Sequence, residues 1–334
     1  MRLLRRTLLA VIAFAAPAFA GVNQWTVVGP PVSVRAMAVD PHNNAILYAA
    51  GDGAVARSYD RGATWTVTSV PGLNEPLSIR VATSMSSTLY VLGASELYRS
   101  NDGGVSWQRR TLPTSGQFPN ELQADSRNSS VIVLVASNFC LFGCTGGGVF
   151  RSDDGGGSWS RIGLKDTNVY AAALDPTSSQ VVYASTGSKL MKTANGGKSW
   201  NDITPAGIDR MQNVAVDPVM NRVIYAATNG AIFRSDDAGQ SWNTIREAPY
   251  GGLVFVPAYA SRQLFVAADS LLLSVDQGES WRSLTTVGSG LEFGSLWQLA
   301  TGGDVFYMVS DLHAMPGQIL AYQIVPPRRR AAAQ

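Results

Sequence analysis

From Trp25 onward the chain is written in short apolar runs separated by turns. "VRAMAVDP" (34–41) alternates and ends in a turn, and "AILYAAGDG" (45–53) is a second apolar run that ends in glycine. "AVARSYD" (54–60) follows, and "TWTVTSV" (64–70) carries β-branched residues at alternate positions. A period of two, broken by turn residues, predicts four antiparallel strands A to D. The same phrasing returns closely in 170–203 and 213–245.

The third and fourth strands of each unit are joined by a recurring octet. It reads "SYDRGATW" (58–65), "SNDGGVSW" (100–107), "SDDGGGSW" (152–159), "TANGGKSW" (193–200), "SDDAGQSW" (235–242) and "SVDQGESW" (274–281). Its tryptophans, Trp65, Trp107, Trp159, Trp200, Trp242 and Trp281, are spaced by 42, 52, 41, 42 and 39 residues. A period near 40 is the size of a four-stranded propeller blade. A further blade can be assembled from the two ends. "NQWTVVG" around Trp25 reads as a D strand, and 295–301, 304–310 and 318–325 read as A, B and C. The expectation is an all-β fold, a seven-bladed β-propeller with four antiparallel strands per blade. It would be closed by the N-terminal strand joining the C-terminal blade, which removes open sheet edges. A six-bladed ring with loose ends is the alternative.

The octets resemble the Asp-box, or bacterial neuraminidase repeat, with the pattern Ser/Thr-x-Asp-x-Gly-x-Ser/Thr-Trp. The resemblance covers essentially the whole chain after the N-terminal segment. It implies kinship with sialidases, xyloglucanases, sortilin-type receptors and, most closely, single propellers of the photosystem II stability and assembly factor type.

The residues themselves favour a structural role for the octet. Asp60, Asp102, Asp154, Asp237 and Asp276 share one position, which Asn195 occupies in the fourth copy. An amide can accept bonds from the turn's backbone as a carboxylate does, but it carries no charge. A recurring glycine suggests positive φ or close approach. Each tryptophan is expected to wedge between neighbouring sheets. No EF-hand or Walker-type spacing is present, and neither a metal nor a cofactor is expected.

Composition adds the setting. Arg2, Arg5 and Arg6, an apolar run from Leu8 to Ala16 and Ala18-Phe19-Ala20 predict a signal peptide over residues 1–20. A single propeller domain is expected over 21–325, followed by a Pro/Arg/Ala tail over 326–334. The expected location is periplasmic or secreted, by general secretion rather than twin-arginine export. Loss of three arginines takes the formal charge from +2 to −1, which is no footprint for nucleic acid. No later apolar run is long enough to span a bilayer. Cys140 and Cys144, the only cysteines, are expected to form a disulfide in an exported chain.

Two regions are candidate binding surfaces. The enlarged B–C loop of the third blade, "SNFCLFGCTGGG" (137–148), carries Phe139 and Phe142. At the channel entrance, alignment on "AVDP" places Arg35, Ile79, Asn120, Tyr170, Gln212 and Leu296 at one level. Arg80, Glu121, Arg210, Tyr250 and Trp297 lie nearby. Such a ring suits a peptide or a glycan. A non-enzymatic, monomeric binding scaffold with a protein partner is the leading expectation. A sialidase-like glycoside hydrolase is the rival, with Arg35, Arg80 and Arg210 as a conceivable triad and Glu121 and Glu292 as carboxylates. No Arg-Ile-Pro motif accompanies them.

Overall fold

The computed structural model describes residues 25–114, 117–138, 146–208, 210–248, 253–256, 262–267, 271–284, 296–302, 305–312 and 315–323. Six blades are built of four consecutive antiparallel strands each. They span 36–69, 78–111, 118–163, 171–202, 211–247 and 253–283 and are numbered blades 1 to 6.

The expectation of a seven-bladed ring needs a correction. The contiguous unit that ends in an octet and an outer strand occurs six times, not seven. The chain ends form one further four-stranded sheet of a different kind. Leu296–Gly302, Val305–Leu312 and Met315–Gln323 are its first three strands, and Trp25–Val27 from the other end of the chain is its fourth. Trp25 pairs with Tyr322, Thr26 with Ala321 and Val27 with Leu320. This closing sheet has no octet, because its third and fourth strands belong to opposite termini. Its innermost strand lies beside that of blade 1. The innermost strands of blades 1 to 6 then neighbour one another in order.

Burial is greatest at the second strand of a blade and falls off toward both the channel and the rim. The second strand of blade 1, Leu47–Gly51, is buried at every position, whereas its outer strand, Thr66–Ser69, is mostly exposed. A strand with a sheet on either side must be apolar on both faces, which explains runs such as Ile132–Ser137. The core is therefore a set of layers between blades. Leu47, Ala49 and Ala56 of blade 1 pack on Tyr307, Val309 and Ile319 of the closing sheet. Tyr48 and Val55, on the other face of blade 1, pack on Ile79, Leu89 and Val91 of blade 2. Each such large side chain contributes about 1.5–3 kcal/mol by leaving water.

Bulges mark the innermost strands. Pairing slips by one residue at Asn120 in blade 3, at Gln212 in blade 5 and at Trp297 in the closing sheet. Each slip re-aims the side chains that follow it.

Candidate functional site

The octets form self-contained polar turns. In the third copy Ser152 Oγ accepts the Gly156 N–H at 2.8 Å and donates to Asp154 Oδ1 at 2.7 Å. Asp154 Oδ1 also accepts the N–H groups of Gly157 and Ser158, at 2.8 and 2.9 Å, while Oδ2 accepts Ser158 Oγ at 2.7 Å. The carboxylate is thus occupied by donors from its own turn. These bonds hold Asp154 and Asp237 well below the usual carboxylate range. Hydrogen bonds from Ser280 and Ser274 bring Asp276 to about 2. At Asp102 burial pushes upward, but bonds from Ser106, Ser100 and Val105 outweigh it and leave the pKa at about 2.

The fourth octet keeps the geometry without the charge. Asn195 Oδ1 accepts Thr193 Oγ1 and the Ser199 N–H, both at 3.0 Å. Its Nδ2 donates to Ser199 Oγ at 2.9 Å, so one hydrogen bond simply reverses direction.

Each octet also bears on the sheet before it. Trp200 Nε1 donates to the Ile162 carbonyl of blade 3 at 3.0 Å, and Trp242 Nε1 to the Ile203 carbonyl of blade 4 at 2.8 Å. Trp159 Nε1 reaches the Thr111 carbonyl of blade 2 at 3.1 Å. Trp65 makes the same bond to Val28, just beyond the closing sheet's outer strand, at 2.8 Å. Trp107 and Trp281 pack alike, but their buried Nε1 atoms have no partner among the described residues. Gly197 has φ of 92°, and a Cβ there would stand 1.9 Å from the Ile162 carbonyl oxygen. Glycine is required at that position both for the turn and for the approach of the sheets.

Two further sets of repeat residues were not singled out in the sequence. The residue before each of the first five octets is a cation that reaches forward to the next blade. Arg57 donates to the Gly103 carbonyl at 2.6 Å, Arg99 to the Asp154 backbone carbonyl at 3.3 Å, Lys192 to the Ala238 carbonyl at 2.9 Å and Arg234 to the Gln277 carbonyl at 3.3 Å. Arg151 reaches the Ser179 carbonyl likewise. The signal was the recurring basic residue ahead of Ser/Thr-x-Asp/Asn. The second set, Asp40, Asp125, Asp175 and Asp217, is buried in the A–B turns and accepts backbone N–H groups there. The "DP" phrasing was its sequence trace at Asp40, Asp175 and Asp217, whereas Asp125 is followed by Ser126.

The central channel is different in kind. Glu121 Oε1 accepts Gln123 Nε2 at 2.6 Å and faces Arg80 Nη2 at 3.4 Å, while Oε2 accepts the Ala172 N–H of blade 4 at 3.0 Å. Burial pushes its pKa up, against the pull of Arg80 and these hydrogen bonds. Gln123 Nε2 also donates to the Ala172 carbonyl, at 3.0 Å. Asn213 brackets Val254 of blade 6, donating to its carbonyl at 2.8 Å and accepting its N–H at 3.0 Å. These side chains satisfy backbone groups on the inner edge of the next blade, which otherwise has no strand beyond it. Within the channel lies a cavity of about 490 Å³.

The anticipated ring is only partly assembled. Of its members, Arg80 and Glu121 line the cavity. The backbone N–H groups of Arg35, Leu77 and Tyr170 make equivalent bonds to Ala50, Leu92 and Ser185. Leu77, rather than Ile79, therefore shares the level of Arg35 and Tyr170, and Ile79 is buried between blades. Asn120 and Gln212 fall at bulges; Asn120 donates to the Val169 carbonyl at 2.6 Å. Arg35 faces Asp52 of its own blade at 3.5 Å, and Arg210 is exposed. The three arginines thus meet different neighbours. Tyr170 is 47% exposed, and Leu77 and Phe118 of blades 2 and 3 are exposed with it. Trp297 falls at the bulge of the closing sheet's innermost strand. Phe139, Cys140, Phe142, Cys144, Tyr250 and Glu292 lie outside the described residues. Among the described residues no three His, Cys, Asp or Glu groups are placed to hold a metal, and no helix is long and apolar enough to cross a membrane.

With this geometry in hand, the chain can be set beside known proteins. The family model for sortilin, neurotensin receptor 3, matches residues 53–186. No curated protein matches in sequence. Among solved structures, YCF48 bound to a D1 peptide superposes with a TM-score of 0.67 at 16% identity, covering 95% of this chain and 100% of that one. YCF48 from Cyanidioschyzon merolae gives 0.63 at 16% identity, covering 90% and 98%. The GH74 xyloglucanase from Xanthomonas campestris gives 0.66 at 18% identity, but only 55% of that enzyme is covered, against 93% of this chain. The fold is a single β-propeller resembling YCF48, with more distant likeness to glycosidases and sortilin.

Proposed function

We propose that this protein is a non-enzymatic, exported propeller that binds a protein partner, in the manner of an assembly factor. The reading rests on one observation above all: the match to YCF48, a structure solved bound to a D1 peptide, runs the full length of that protein. The chemistry on the inner strands supports it. Glu121 is engaged by Gln123, Ala172 and Arg80, and bridges blades 2, 3 and 4. A general acid or nucleophile needs an oxygen free to reach substrate.

The partner's segment is assigned to the face formed by the D–A and B–C loops of blades 2 to 4. Exposed Leu77, Phe118 and Tyr170 stand there on three consecutive blades. Rigid aromatic anchors flanked by cations such as Arg35 and Arg210 suit an extended peptide. Crosslinking followed by pull-down from the envelope fraction is expected to capture a protein with the natural chain and to lose it with Tyr170→Ala. A fluorogenic sialoside and a xyloglucan oligosaccharide are expected to stay intact. Turnover abolished by Arg80→Ala or Glu121→Gln would replace this reading with a glycoside hydrolase.

A further inference from the structure

The cavity of about 490 Å³ is not at the end of the channel where the aromatic ring was expected. Its lining runs along the inner strands to the A–B turns, ending at Ser126, Pro176 and Pro218. That is the octet side of the propeller, opposite to the face assigned above to the partner. Its volume falls within the roughly 300–1,000 Å³ usual for small-molecule sites.

The chemistry of the walls is selective. About half of the wall is aliphatic, including Val81, Leu174, Ala215, Val216 and Val256, and the rest is polar. Every charged group on it is already matched. Arg80 and Glu121 face one another, and Arg80 Nη1 also donates to the Ile79 carbonyl at 3.2 Å. Asp175 takes the Thr177 N–H and hydroxyl, both at 2.7 Å, and Asn221 Nδ2 of blade 5 at 3.1 Å. Gln123 and Asn213 are committed to the inner edges of blades 4 and 6. Ser126 Oγ donates to the Pro176 carbonyl at 2.7 Å. One lining group is left over: the buried hydroxyl of Thr83, which has no partner among the described residues.

We propose that the octet-side end of the channel is a second binding site, for a small, uncharged molecule with an apolar body that carries one hydrogen-bonding group for Thr83. An anion would find no unmatched cation, and a sugar would meet polar groups that are already engaged with one another. Burying such groups without partners is unfavourable. The inference stands apart from the protein-binding reading, because the two sites lie at opposite ends of the channel.

The test uses the full chain with a matched pair of probes, neutral N-phenyl-1-naphthylamine and its anionic analogue anilinonaphthalene sulfonate. Saturable, one-site binding of the neutral probe is expected, with the sulfonate at least about tenfold weaker. Ala215→Phe, which fills the cavity, should weaken the neutral probe by at least about tenfold, without lowering the thermal midpoint. Ala173→Phe serves the same purpose from blade 4 should the first variant fold poorly. Thr83→Val should weaken the probe several-fold while leaving the sulfonate unchanged. Partner capture should persist in Ala215→Phe and vanish in Tyr170→Ala. Equal affinity for the two probes, non-saturable binding, or binding indifferent to both filling variants would overturn the site and leave the partner face standing.

Discussion

Carboxylates at the rim of this propeller and in its channel behave in opposite ways. At the rim, Asp102 is exposed and Asp276 partly so, and their pKa values fall to about 2, because hydroxyl and N–H donors of the same turn converge on them. In the channel, Glu121 has an arginine, an amide and a backbone N–H for company, yet burial drives its pKa up. The rim group is satisfied locally and repeats with each blade. The channel group is satisfied by its neighbours on two other blades and occurs once. Repetition here marks scaffold, and departure from repetition marks the part of the surface shaped for this molecule alone.

That contrast can be broken by experiment. The largest effect is expected at Trp242, where truncation to alanine removes a wedge between blades 4 and 5 and its bond to Ile203. The loss should be about 3–5 kcal/mol by urea denaturation. Trp281→Ala should cost about 1 kcal/mol less, since its Nε1 has no bond to lose. Equal losses would mean that the indole hydrogen bond contributes nothing. Next comes Gly197→Ala, at about 1–3 kcal/mol from backbone strain, with more added if blade 3 cannot recede from the new methyl. An unchanged midpoint would show that the turn tolerates a side chain.

Acid titration separates the two kinds of carboxylate. The octet aspartates have folded pKa values below the unfolded value of about 3.9. They therefore contribute stability above that pH and lose it as pH falls toward about 2. Asp102→Asn should be mild at neutral pH, as Asn195 shows in the fourth octet, and should flatten this acid limb. Glu121 has the reverse sign. Its raised folded pKa means that ionisation opposes folding, so stability grows as pH falls through that pKa to the ordinary glutamate value. Glu121→Gln should abolish that rise, and because its amide nitrogen must face either the Gln123 amide or the Ala172 N–H it should also cost about 1 kcal/mol at neutral pH. A pH–stability curve of unaltered shape in this variant would refute the assignment.

The sequence was legible where the physics is local. Octets at a spacing near 40, with two-residue periodicity between them, were enough to predict the strands, the blade unit and the wedge position of each tryptophan. The number of repeating blades was overstated by one, because the closing sheet satisfies the same strand pattern without the octet. The channel level was harder to read. A one-residue bulge at Asn120 or Gln212 leaves no trace in an alternating pattern, yet it shifts the inner strand against its neighbours. In blade 2 the A–B turn reads "ATSMSS" instead of "VDP", so alignment on that motif slipped by two residues and put Ile79 where Leu77 stands. The role of Glu121 was not visible either, since its partners Arg80 and Ala172 come from other blades and the bonds that define it depend on that register.

The pairing of Trp25–Val27 with Met315–Gln323 has a bearing on biosynthesis. Of the described strands, the first to leave the ribosome is matched to the last, so it must wait for that partner while everything between them is made. Few neighbouring contacts can hold it meanwhile, and the loop it finally closes is nearly the whole chain. Completion of the circle is therefore a late event in the life of each molecule. Until then the nascent protein carries an unsatisfied edge at each end, open to any chaperone, or any sister chain, that arrives first.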